Sequence, residues 1–240
     1  MVNTDLSKHL HSTYKLAEPY PHIVLDNLIP EDIAKQCYLD MSNYDYWGYD
    51  SMEGYPIDEQ NAQVNKFFTP WNDESLNSLS DKMPVVSKVI DYLNSKLFTN
   101  FLEELTGIDN ILPDPTLNGG GCHYIKRGGR LALHTDYGKH PKTKFHRRIN
   151  VLLYLTPDWQ KEWGGHLELW RKEPRTHFKS ILPIFNRAII FNTTNDSIHG
   201  HPTPLNVPEN GGRYSIAMYY FTEDRPIKEQ SNATSAIWYE

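Results

Sequence analysis

Apolar and polar positions change rhythm about halfway along the chain. Residues 22–29 (HIVLDNLI) form a short apolar run that predicts a strand. Pro30 then stands where a helix would begin, with Glu31 and Asp32 in its first turn and Ile33, Cys37 and Met41 at helical spacing. Residues 84–106 predict a helix with two apolar stripes, Val85, Val89, Ile90 and Leu93, then Phe98, Phe101, Leu102 and Leu105, with Gly107 as the stop. From about residue 118, short β-rich runs alternate with Gly, Pro and Asn: 121–125, 131–136, 148–155, 166–170, 178–183, 188–192, 197–202 and 213–221. About eight such strands point to a jelly roll. The expected fold is mostly β with flanking α, in a single domain over residues 1–240: a helical flank and lid loop (1–117), then the β core (118–225). Residues 43–60 are aromatic, acidic and rich in turn formers, and read either as a lid that contacts substrate or as a surface loop with packed aromatics.

Composition narrows the class. Hydrophobic residues make up 39% and charged residues 22%, as in ordinary globular proteins. A net charge of −6 supplies no general basic face, so nucleic acid is not an expected partner. Two cysteines, Cys37 and Cys122, exclude a disulfide scaffold and an all-cysteine metal site, and fit a reducing compartment. The first twenty residues carry no apolar signal segment, and no run approaches the roughly 20 apolar residues that span a bilayer. The expectation is a cytoplasmic protein without a membrane partner.

The chemistry-bearing residues lie in the β half. In His134-Thr135-Asp136, strand alternation points the imidazole and carboxylate to one side. Such a triplet arises readily by chance, and on its own it is equally an unrelated neighbouring pair. A second histidine strengthens the case: His199 follows the apolar run AIIFN, where a jelly roll can return a later strand beside the first. Two histidines and one carboxylate leave metal positions open, which suits non-haem Fe(II) with a chelating co-substrate and O2. His201 shares the face of His199 and competes for that role, but Gly200 and Pro202 interrupt its strand, and His199 is favoured. Arg213 opens the strand RYSIAMYYF with Ser215 on the same face. An inward guanidinium there requires an anion, such as the distal carboxylate of 2-oxoglutarate. Tyr124 offers a hydroxyl to the same co-substrate, or is simply a packed strand tyrosine. Trp163-Gly164-Gly165 reads as a tight turn, and His123, His140, His146, His166 and His177 as surface or structural histidines.

The segments CHYIKRGGRLALHTD, RINVLLYLTPDW, WGGHLELW, AIIFNTTNDSIHGHP and GGRYSIAMYYF, in that order over residues 121–221, resemble the prolyl-hydroxylase branch of the Fe(II)/2-oxoglutarate dioxygenases. The PHIVLDNLIPEDIA segment is similar to that family's strand–helix entry. The resemblance implies a double-stranded β-helix, an iron triad of His134, Asp136 and His199, Arg213 on the co-substrate's far carboxylate, and Tyr124 lining its pocket. Residues 200–212 form a longer connection than is typical, and Leu153 stands where some relatives carry a co-substrate tyrosine. The expected activity is hydroxylation of a peptide, protein or small-molecule substrate, first of all a prolyl residue, with release of succinate and CO2. The rivals are a cupin-like metal enzyme that uses no 2-oxoglutarate and a non-catalytic jelly-roll binding module. The sequence does not give the oligomeric state.

Overall fold

The structure is a computed structural model. It describes residues 4–45, 47, 57–69, 80–231 and 233–239. The helices are α1 (Thr4–Lys15), α2 (Glu31–Ser42), α3 (Ile57–Ala62), α4 (Pro84–Leu93) and α5 (Lys96–Thr106). The strands are β1 (His22–Asp26), β2 (Gln63–Phe68), β3 (Leu112–Pro113), β4 (Gly121–Thr135), β5 (His146–Tyr154), β6 (Leu167–Arg171), β7 (Thr176–Ile181), β8 (Arg187–Asn192), β9 (Ile198–His201), β10 (Gly212–Thr222) and β11 (Ile237–Tyr239). The strands form one antiparallel sheet in the order β1-β8-β5-β10-β4-β9-β6-β7, with β2 and β11 added beside β4 and β3 beside β10. Sequence-distant strands become neighbours, as the double-stranded β-helix requires: β9 lies against β4, and His199 pairs with His134.

Two segments differ from their expected form. The helix expected over 84–106 is two helices, because Asn94 and Ser95 interrupt it. Ser95 caps α5, accepting a hydrogen bond from the Phe98 amide at 3.4 Å, and Gly107 ends it at φ 70°. Helix α4 lacks a side-chain cap of its own; Asp40 of α2 accepts from the amides of Val85 and Val86 at 2.7 and 3.2 Å, and Val86 rather than Val85 is buried. The two strands expected at 121–125 and 131–136 are one 15-residue strand. It bends at Gly128–Gly129, where a Cβ on Gly129 would approach Ile125 Cγ2 to 2.5 Å. The candidate lid over 43–60 falls mostly outside the described residues.

Alternation along β4, β5 and β10 divides the molecule into a helix side and a cavity side. Cys122, Val151, Leu153, Ile216, Met218 and Tyr220 face the helices and pack with Met41, Val86, Ile90, Leu93, Phe98 and Leu102. His123, Asn150, Leu152, Tyr154, Arg213 and Ser215 face a cavity of about 550 Å³ on the other side. No described helix is long and apolar enough to cross a membrane.

Candidate metal and co-substrate site

At one end of that cavity His134, Asp136 and His199 present ligand atoms within 4.8 Å of one another. His134 Nε2 lies 3.7 Å from Asp136 Oδ1, and His199 Nε2 3.7 Å from Asp136 Oδ2. Each imidazole donates its Nδ1–H to the carbonyl two residues back, of Ala132 and Ser197, both at 2.9 Å. Those bonds fix the tautomer and leave both Nε2 lone pairs aimed at the shared point. Burial, aided by His199, pushes the His134 imidazole down to about 3, and burial likewise lowers His199, so both rings are neutral at pH 7.

The carboxylate is held from behind. Asn150 Nδ2 donates to Asp136 Oδ2 at 2.8 Å, and Arg147 Nη2 lies 3.3 Å from the same oxygen. Arg147 is itself fixed, donating through Nε and Nη2 to Asn150 Oδ1 at 3.0 and 2.8 Å and lying 3.5 Å from the Tyr219 ring centroid. Burial opposes ionisation of Asp136, but the Arg147 charge, the imidazoles and the Asn150 amide outweigh it and keep the carboxyl below its usual range. Two neutral imidazoles and one ionised carboxylate are donors that fit a divalent ion, and the set suits Fe(II) of the two-histidine, one-carboxylate kind.

Arg213 lines the same cavity. Its Nη1 donates to the Gly165 carbonyl at 2.5 Å, and its guanidinium carbon lies 5.3 Å from the Tyr154 ring centroid. Its Nε is buried and has no hydrogen-bond partner among the described residues. Burial lowers its pKa, with Tyr154 opposing, and among the described residues no carboxylate offsets the charge. The Gly164–Gly165 turn, expected to be structural, thus also anchors this arginine. Gly165 has φ 66°, and a Cβ there would lie 2.6 Å from Leu205 Cδ2 and 3.5 Å from Arg213 Cδ. Ser215 lines the same cavity.

Two expectations are revised. Tyr124 does not line the cavity; it lies on the helix side of β4, stacked on Tyr214 with centroids 4.5 Å apart. Its neighbours His123 and Ile125 take the inward positions, because strand side chains alternate. Leu153 likewise faces the helices, so its lacking a hydroxyl costs the site nothing; Tyr154 is the inward tyrosine beside Arg213. His201, the less favoured rival of His199, stands outside the converging triad. It lines a separate cavity of about 370 Å³ with Gly165 and Glu168, and neither of its buried ring nitrogens has a partner.

Other cavity residues went unread in the sequence. Arg147 and Asn150 sit in a run taken only as a strand, where alternation from Tyr154 back to Asn150 would have marked the inward set. Lys66 enters from β2, a strand with no clear apolar signature. Trp238 of β11 places its ring 4.9 Å from that of His134.

Comparison with known proteins gives a consistent picture. Residues 120–221 match the family model described as the 2OG-Fe(II) oxygenase superfamily. The mouse (Mus musculus) prolyl 3-hydroxylase OGFOD1 is 25% identical over 228 residues, covering 90% of this chain and 37% of the mouse protein. The chain therefore spans well under half the length of that relative. A Trichoplax adhaerens prolyl hydroxylase, solved in complex with a hypoxia-inducible-factor peptide fragment, superposes with TM-score 0.60 at 18% identity, covering 92% of this chain and 90% of that one. A Pseudomonas putida prolyl-4-hydroxylase superposes with TM-score 0.51 at 15% identity, covering 91% and 100%. These structural likenesses concern the fold.

Proposed function

We propose that this chain, whose β core belongs to the 2OG-Fe(II) oxygenase superfamily, is a prolyl-hydroxylase-like oxygenase dependent on Fe(II) and 2-oxoglutarate. The observation that carries the reading is the pairing, within one cavity, of a His134–Asp136–His199 cluster with a buried guanidinium that no carboxylate among the described residues offsets. His134, Asp136 and His199 would hold the iron. Iron bound there supplies the oxidative chemistry, in which O2, 2-oxoglutarate and a substrate C–H give succinate, CO2 and a C–OH.

The chain's own residues bind and orient. Asn150 and Arg147 hold the Asp136 carboxylate in place. Arg213, fixed by Gly165 and backed by Tyr154, takes the distal carboxylate of 2-oxoglutarate. Ile125, Leu131, Leu152 and Leu167 supply apolar walls that limit water around the reacting centre. The names of the mouse relative and the Trichoplax structure support a prolyl residue in a peptide or protein as substrate. A metal enzyme without 2-oxoglutarate would leave the buried charge of Arg213 unexplained.

The test is succinate formation from 2-oxoglutarate with added Fe(II), together with a search for a hydroxylated product among proline-containing peptides. His134→Ala and Asp136→Ala should each abolish succinate formation. Turnover that survives either substitution removes the assignment.

A further inference from the structure

We propose that Lys66 is a second cationic prong on the distal carboxylate of the co-substrate, closing on it from the side opposite Arg213. This rests on the 2-oxoglutarate reading above. The geometry comes from one transverse row of the sheet. Lys66 of β2 pairs with Ile125 of β4, and Ile125 pairs with Arg213 of β10. All three line the same cavity. Neighbouring strands lie about 4.8 Å apart, so the outer two backbones are about 10 Å apart with the shorter Ile125 between them. A carboxylate lying over Ile125 therefore has a long cationic side chain on either flank.

Lys66 does not reach this row by simple alternation. The β2–β4 register shifts between Val64 and Lys66 at Asn65, which has φ 48° and donates through Nδ2 to the Arg127 carbonyl at 3.1 Å. The surplus residues are on β4, where Lys126–Gly129 stand opposite the single Asn65, and beyond this irregularity Lys66 and Phe68 of β2 both line the cavity, the kind of re-aiming that bulges provide beside functional sites. Inside, the Lys66 ammonium donates to Gln63 Oε1 at 2.9 Å, an uncharged partner. The cavity's described lining holds three cations, Lys66, Arg147 and Arg213, against one carboxylate, Asp136, which Arg147 and Asn150 already engage. Burial, and then the Arg213 charge, push the Lys66 amine down to about 8. Two neighbouring cations without a counter-charge form a site that calls for an anion.

The experiment compares two 2-oxo acids that chelate metal alike, 2-oxoglutarate and pyruvate, of which pyruvate lacks the distal carboxylate. Affinities are measured by calorimetry on Mn(II)-loaded protein, anaerobically. Lys66→Gln should weaken 2-oxoglutarate at least ten-fold while leaving pyruvate and Mn(II) within two-fold, and Lys66→Arg should restore most of the loss. Wild-type affinity for 2-oxoglutarate should also fall as pH rises through about 8, because Lys66 discharges there. The other groups facing Lys66 are Arg213, Arg147 and Asp136, which keep their charge across that range, and His123, His134 and His201, which burial holds neutral. The fall should be absent in Lys66→Gln. Unchanged 2-oxoglutarate binding in Lys66→Gln, or equal losses for both acids, overturns the clamp alone. A wild type that binds pyruvate but not 2-oxoglutarate overturns the functional reading and the clamp together.

Discussion

At the scale of single residues the site separates groups that would touch ligand from groups that hold them. Arg213 belongs to the first kind. Charge-assisted hydrogen bonds contribute about 1.5–3 kcal/mol, so Arg213→Gln should weaken 2-oxoglutarate binding roughly ten- to hundred-fold while sparing pyruvate, as calorimetry on Mn(II)-loaded protein can show. Asn150 belongs to the second kind. It accepts from Arg147 and donates to Asp136, so one amide couples the cation to the carboxylate. Loss of such an outer partner typically costs 10–100-fold in metal affinity. Asn150→Leu should lower Mn(II) affinity by about that factor in a competitive chelator titration, and unchanged affinity would show that Arg147 alone positions the carboxylate.

At the scale of elements, what the sequence disclosed follows from how local each cause is. The strand carrying His134 and the one carrying Arg213 were legible because period-two alternation is written in neighbouring residues. The convergence of His199 on them was legible only through an expected topology. Tyr124 was placed on the wrong side because it was judged by chemistry, not by its register with His123 and Ile125. β2 was missed because Asn65, at φ 48°, breaks the alternation of QVNKFF opposite a bulge of β4, and that irregularity exists only once β4 lies beside it. The helix at 84–106 was read through its break because the apolar spacing was followed across Asn94 and Ser95, although the Ser95 cap on the Phe98 amide is a local signal three residues long. The Gly164–Gly165 turn shows the same dependence, since its role comes from the Arg213 that reaches it. Gly165→Ala would force a Cβ onto a backbone at φ 66° and to within 2.6 Å of Leu205. It should destabilise the protein by about 1–3 kcal/mol. Thermal melts should show the lower stability, and 2-oxoglutarate affinity should fall with it, because the strained backbone moves the carbonyl that holds Arg213.

At the scale of the whole molecule, the question is whether the helices form a separate unit or the back wall of the site. The same strands serve both layers: in β5, Leu152 and Tyr154 line the cavity while Val151 and Leu153 meet the helices, and β10 divides the same way at Ser215 and Ile216. Leu102 of α5 is fully buried in that shared core. Such an arrangement leaves the sheet no independent outer surface, so helices and sheet should unfold together as one domain. Truncating a buried leucine costs about 2–5 kcal/mol. In a protein of this size each 1 kcal/mol lowers Tm by roughly 2–4 °C. Leu102→Ala should therefore lower Tm by roughly 4–20 °C on these figures, with a single transition. Far-ultraviolet circular dichroism, which reports the helices, and loss of Mn(II) binding, which reports the cavity, should share one midpoint. If the helical signal melts first while the metal site survives, the flank is a dispensable addition, and the cavity stands on the sheet alone.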